Sequence, residues 1–145
     1  FKKLFPLGVE AIIESVELIR SGKAPKIVQD ESKATYEGWC KAGDVQVNWG
    51  ESASTIFNMI RGADPQPGAN TTFKGTKLSL YDAAPSSDNT ATPGTVLSID
   101  EFGIHVSTSD GNVNIGRVRE SGSGKVLSAE WAESVGLGVG DILGT

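Results

Sequence analysis

Cysteine is nearly absent from this sequence of 145 residues: Cys40 stands alone, and one thiol cannot close an intramolecular disulfide. A scaffold stapled by internal disulfides is therefore excluded, and a reducing, cytoplasmic setting is expected. Long apolar runs are missing too. No stretch approaches the roughly 18 consecutive apolar residues that a membrane-spanning helix requires, so no membrane partner is expected. Histidine occurs once, at His105, with no Cys, His or paired acid at the spacing of a metal site. So isolated a group lacks the constellation that catalysis or metal binding demands. Positive charge is scarce in one half: residues 72–145 carry five basic and nine acidic side chains, whereas residues 1–71 carry eight and nine. Nucleic-acid backbones are held chiefly by Lys and Arg, so this acidic module is not expected to bind them.

What is present begins with a helical pattern. Val9, Ile12, Ile13, Val16 and Ile19 share one face and Glu10, Glu14 and Glu17 another, which predicts a helix over residues 6–21 closed by Gly22. Its apolar stripe calls for a partner surface, and Phe1 opens directly onto the pattern without a capping residue. Both features suggest a segment of a longer polypeptide, with an upstream half as partner. Residues 26–29 read as a short extended piece after Pro25. Val45, Val47 and Trp49 alternate as in a half-buried strand over residues 44–49. A second helix follows, with Ser52 as N-cap, Ala53, Ile56, Phe57 and Ile60 along one face, and Gly62 as a left-handed stop.

Beyond Pro67-Gly68 the pattern shortens to alternating runs over residues 77–82, 95–99, 104–108 and 112–118. They are separated by turn-forming residues over 83–93, 101–103, 110–111 and 121–124. Asp110-Gly111 is the strongest hairpin signal. A last helix is predicted over residues 128–135, capped by Ser128 and stopped by Gly136. The fold class expected is α+β: a helical lead-in, residues 1–71, followed by a small open β-barrel with a short helix, residues 72–145.

Few residues stand out as chemistry. Cys40 lacks any nucleophile signature and is expected to be a partly buried small side chain. The glycine-rich run over residues 136–141 lacks the preceding strand and following Lys-Ser or Lys-Thr of a phosphate loop. The most unusual cluster is Arg61, Asp64, Pro67 and Gly68, where a helix end, an arginine and two prolines fix the backbone tightly. A domain joint accounts for it, with Arg61 favoured near a helix C-terminus by the dipole.

Three stretches taken together resemble the formyltransferase superfamily in order and spacing: Leu18-Ile19-Arg20-Ser21-Gly22-Lys23-Ala24-Pro25, Ala34-Thr35-Tyr36-Glu37-Gly38, and Val47-Asn48-Trp49 through Ile60-Arg61-Gly62-Ala63-Asp64-Pro65-Gln66-Pro67-Gly68-Ala69. The match is closest to the hydrolase branch found in 10-formyltetrahydrofolate dehydrogenase, with methionyl-tRNA formyltransferase a more distant relative. The resemblance implies that residues 1–71 are the end of a catalytic domain plus the joint, and that residues 72–145 are an OB-like carboxy-terminal barrel. It adds Tyr36 to the candidate joint residues.

The family's catalytic Asn, its His in a His-x-Ser-Leu-Leu-Pro segment and its loop Asp have no counterparts here. The resemblance therefore implies no catalytic, cofactor-binding or metal residues in this chain and a parent enzyme that uses 10-formyltetrahydrofolate. Water, tRNA or an amino sugar remain open as formyl acceptors. A stand-alone barrel that binds a peptide, a sugar or RNA is the alternative from a different class.

Overall fold

The computed structural model describes residues 2–88 and 91–144. They form two compact units that part between Glu37 and Gly38.

The first unit contains helix α1 (Leu4–Arg20). The helix ends where Gly22 adopts φ +69° and the amides of Ser21, Gly22 and Lys23 bond back to the carbonyls of Glu17, Ile19 and Leu18. No residue of α1 is buried, and its apolar stripe is open, with Ile12 66% and Ile19 69% exposed. A single 3-10 turn follows at Glu31–Lys33. The hydroxyl and then the amide of Ser32 bond to Asp30 and hold its carboxyl below its ordinary pKa. Residues 26–29 are exposed and unladdered rather than a strand.

The second unit holds helix α2 (Ala53–Gly62), strands β1 (Ala69–Phe73), β2 (Thr76–Ser86), β3 (Val96–Asp100), β4 (Gly103–Ser107), β5 (Asn112–Glu120) and β6 (Val126–Leu127), and helix α3 (Ser128–Val135). The strands make one antiparallel sheet in the order β1-β2-β5-β4-β3, with β6 also on β5. The expected α+β class is what the structure has.

β5 is the spine. β2 runs along one side of it, and β4 followed by β6 occupies the other. Val113, Ile115 and, past the break in β2–β5 pairing at Asp82 and Gly116, Val118 face a core completed by Leu78, Leu80, Val96, Ile104 and Val106. Ile56 and Ile60 of α2 and Trp131 and Ala132 of α3 belong to the same core.

Several local expectations are corrected. The division foreseen at residues 71/72 falls inside β1. The segment before it belongs to the same unit, because Val47 donates to the Asn70 carbonyl at 2.8 Å and Asn70 donates to that of Val45 at 2.9 Å. Val45, Val47 and Trp49 are buried as their alternation implied, yet they make a single parallel bridge, Gln46 to Asn70, and no full strand. Gly62 stays helical, and α2 stops at Ala63 in right-handed geometry because the prolines beyond cannot continue it.

Ser128 is the first residue of α3 rather than its cap; its hydroxyl is drawn to the Ile115 carbonyl instead. β2 extends through Ser86 where a turn was foreseen, since Ala83, Ala84 and Pro85 pair with Ile115, Asn114 and Val113. Asn89 and Thr90 of that foreseen turn lie outside the described residues.

The edges of the sheet are not left bare. Near the C-terminus, Gly140 donates to the Val96 carbonyl, Val96 to that of Asp141, Leu143 to that of Gly94, and Gly144 to that of Thr72. One irregular segment thus bonds both to the β3 side and to β1, the two ends of the strand order, and satisfies backbone groups that would otherwise face solvent.

Candidate functional site

The turn after α2 is the best-defined polar feature of the second unit. Asp64-Pro65 and Gln66-Pro67 are both cis, and the chain then swings through Gly68 at φ +87°, whose amide donates to the Ala63 carbonyl at 2.9 Å. Gly68 sits directly over β2. A Cβ there would lie 2.6 Å from the Tyr81 Oη and 3.0 Å from the Ser79 Cβ. Only glycine fits both the conformation and the space.

Tyr81 is fully buried, and its hydroxyl has no hydrogen-bond partner among the described residues. Two cations flank its ring, Lys125 Nζ at 3.7 Å and the Arg119 guanidinium at 5.4 Å from the centroid. Lys125 in turn pairs with Asp64 Oδ1 at 2.5 Å, both side chains being about two-thirds or more buried. The α2 turn is thereby fastened to the β5–β6 connection across the face of an aromatic ring.

Of the residues singled out in the sequence, Asp64, Pro67 and Gly68 meet here. Arg61 is engaged within its own helix: its Nε donates to Asn58 Oδ1 at 2.8 Å and its guanidinium lies over the Phe57 ring. Tyr36 belongs to the first unit and is 90% exposed. Sequence reasoning missed Ser79, Tyr81, Arg119 and Lys125. The period-2 alternation of Lys77, Ser79 and Tyr81, and of Arg117 and Arg119, signalled two polar faces. Only the register, which sets Ser79 opposite Arg119 and Tyr81 opposite Arg117, makes them one.

The remaining candidates lie elsewhere. His105 Nε2 lies 3.1 Å from Asp100 Oδ2 and 2.9 Å from Asn114 Nδ2, all within its own sheet. Cys40 is exposed rather than partly buried. The glycine-rich run forms a turn in which Asp141 accepts from the Gly138 amide at 2.9 Å. Among the described residues, no helix is long and apolar enough to cross a membrane.

Comparison with known proteins places this architecture. Mitochondrial 10-formyltetrahydrofolate dehydrogenase of Homo sapiens is 46% identical over 78 residues, which is 54% of this chain and 8% of that protein. Methionyl-tRNA formyltransferase of Roseiflexus castenholzii is 32% identical over 145 residues, covering 99% of this chain and 46% of that enzyme. The solved structure of HypX from Aquifex aeolicus in complex with tetrahydrofolic acid matches with a TM-score of 0.71 at 26% identity, over 90% of this chain and 23% of that one. The chain therefore spans less than half the length of each of these relatives. The family model described as formyl transferase, C-terminal domain, matches residues 40–136, and the chain belongs to that family.

Proposed function

We propose that this chain is the carboxy-terminal part of an enzyme that moves or hydrolyses the formyl group of 10-formyltetrahydrofolate, and that the reacting groups reside in an upstream half of the same polypeptide. The observation that carries this reading is the similarity of a carboxy-terminal family domain to much longer relatives whose names specify formyl chemistry. The open apolar stripe of α1 supports it, since Ile12, Ile13, Val16 and Ile19 need a surface to cover them. The free, exposed thiol of Cys40 agrees with a cytoplasmic parent.

The role assigned to this chain is mechanical: it follows the catalytic domain in the polypeptide and supplies the barrel. Incubated with 10-formyltetrahydrofolate, the 145-residue chain should release no tetrahydrofolate, whereas a polypeptide extended upstream by the length of its relatives should turn over. Turnover by the short chain would refute the assignment.

The acceptor has two supported readings. The 46% identity to a 10-formyltetrahydrofolate dehydrogenase favours the hydrolase branch, with water as acceptor. The alignment with a methionyl-tRNA formyltransferase along 99% of the chain favours tRNA. Supplying the extended polypeptide with methionyl-tRNA separates them, because formyl-methionyl-tRNA forms only under the second.

A further inference from the structure

All five basic residues of the acidic second half, Lys74, Lys77, Arg117, Arg119 and Lys125, fall at one end of the β2–β5 ladder or in its adjoining turns. Two of them are neutralised, Arg117 by Asp82 at 2.7 Å and Lys125 by Asp64. Lys77 and Arg119 have no ion-pair partner among the described residues. The carboxylate nearest in sequence, Glu120, is turned to the other side of β5, where it accepts from Trp131 Nε1 at 2.7 Å.

What Lys77 and Arg119 do share is a groove of about 400 Å³, lined also by Ser79, Ser121 and Ser123. Arg119 stands opposite Ser79 in the ladder and is braced over the Tyr81 ring. The turn from Glu120 to Ser123, closed by an amide-to-carbonyl bond of 3.1 Å, supplies the far wall.

We infer that this groove binds a small doubly charged oxyanion group, with Arg119 and Lys77 as its counter-charges and the serine hydroxyls as donors. A guanidinium held by an aromatic ring is pre-organised for forked bonds to such a group, and an ammonium and hydroxyls complete its coordination. The ligand is a compact one. A long polyanion leaving the groove would meet a module whose nine carboxylates outnumber its five cations. A phosphate monoester and a short dicarboxylate share the required chemistry. The site stands independently of the proposed formyl chemistry.

The test is a titration of the 145-residue chain, followed by amide NMR, with inorganic phosphate in one arm and succinate in another, each against sodium chloride of matched ionic strength. Saturable shifts are expected at Ser79, Arg119, Ser121 and Ser123. Lys77→Ala and Arg119→Gln should each weaken binding about tenfold, while Lys74→Ala, outside the groove, leaves it unchanged. Lys77 is exposed, so its variant reports on the site even if the Arg119 variant loses the fold. Saturation by either anion sustains the inference and identifies the source. Shifts no larger than those in chloride overturn it, as does equal binding by Lys77→Ala.

Discussion

At Gly68 two constraints coincide that are separable by mutation. The backbone stands at φ +87°, where a side chain costs about 1–3 kcal/mol, and a Cβ would also press on Tyr81 Oη at 2.6 Å. Gly68→Ala should therefore lower stability in urea unfolding by at least that amount. Tyr81→Phe alone should leave stability unchanged or raise it, because the hydroxyl it deletes is buried without a partner. Combined, the two changes should restore part of the loss, since the contact disappears while the backbone strain stays. Strict additivity would show that the hydroxyl is not what Gly68 accommodates. The prolines and glycine made this turn legible in the sequence as a rigid break after a helix, though it lies inside the second unit and not at the division between the two. The sequence could not show Tyr81 beneath it, because that contact depends on how a loop folds over a strand rather than on any local pattern.

Elements were readable wherever apolar periodicity was strong: α1, α2 and the middle four strands all follow from it, while α3 was read from its ends, where Gly136 is indeed the left-handed stop. β1 was missed because Asn70, Thr71 and Thr72 look like loop, and the burial of Asn70 and Thr71 comes from neighbours that only the fold supplies. The N-terminus of α2 makes the same point. Ser52 was identifiable as its cap and accepts from the Thr55 amide at 3.1 Å. A second acceptor, Asp110 Oδ1, reaches the Ala53 amide at 2.8 Å from the β4–β5 hairpin. The residue read as a turn former is thus also a long-range cap that brings negative charge to a helix start. Asp110→Ala should cost about 1–2 kcal/mol, and Asp110→Asn, which keeps an acceptor but loses the charge, should cost less. Thermal melts of the two variants, with amide exchange in the first turn of α2, provide the measurement. Equal stability of all three proteins would remove the cap from the account.

For the molecule as a whole, the question is what keeps a six-stranded sheet from exposing its edges. Strand count and turn spacing already implied a small open barrel, but not what covers its edges, because residues 140–144 carry no strand-like alternation. They act through backbone bonds to Gly94, Val96 and Thr72 and through one buried anchor, Leu143, 4% exposed. Trp49, 5% exposed and bonded through Nε1 to Thr71 Oγ1 at 3.1 Å, fills the space beside Gly94 and Gly144. Leu143→Ala removes the anchor without touching any strand, and a buried Leu→Ala change costs about 2–5 kcal/mol. If closure is integral to the fold, stability should fall by that much, and the Val96 amide should exchange faster in step with amides throughout the core. Were Val96 alone to loosen while the melting point held, the segment would be an appendage lying on a sheet that is stable without it. The burial of Leu143 argues for the first outcome, because a side chain so enclosed cannot leave without exposing the apolar surface that encloses it.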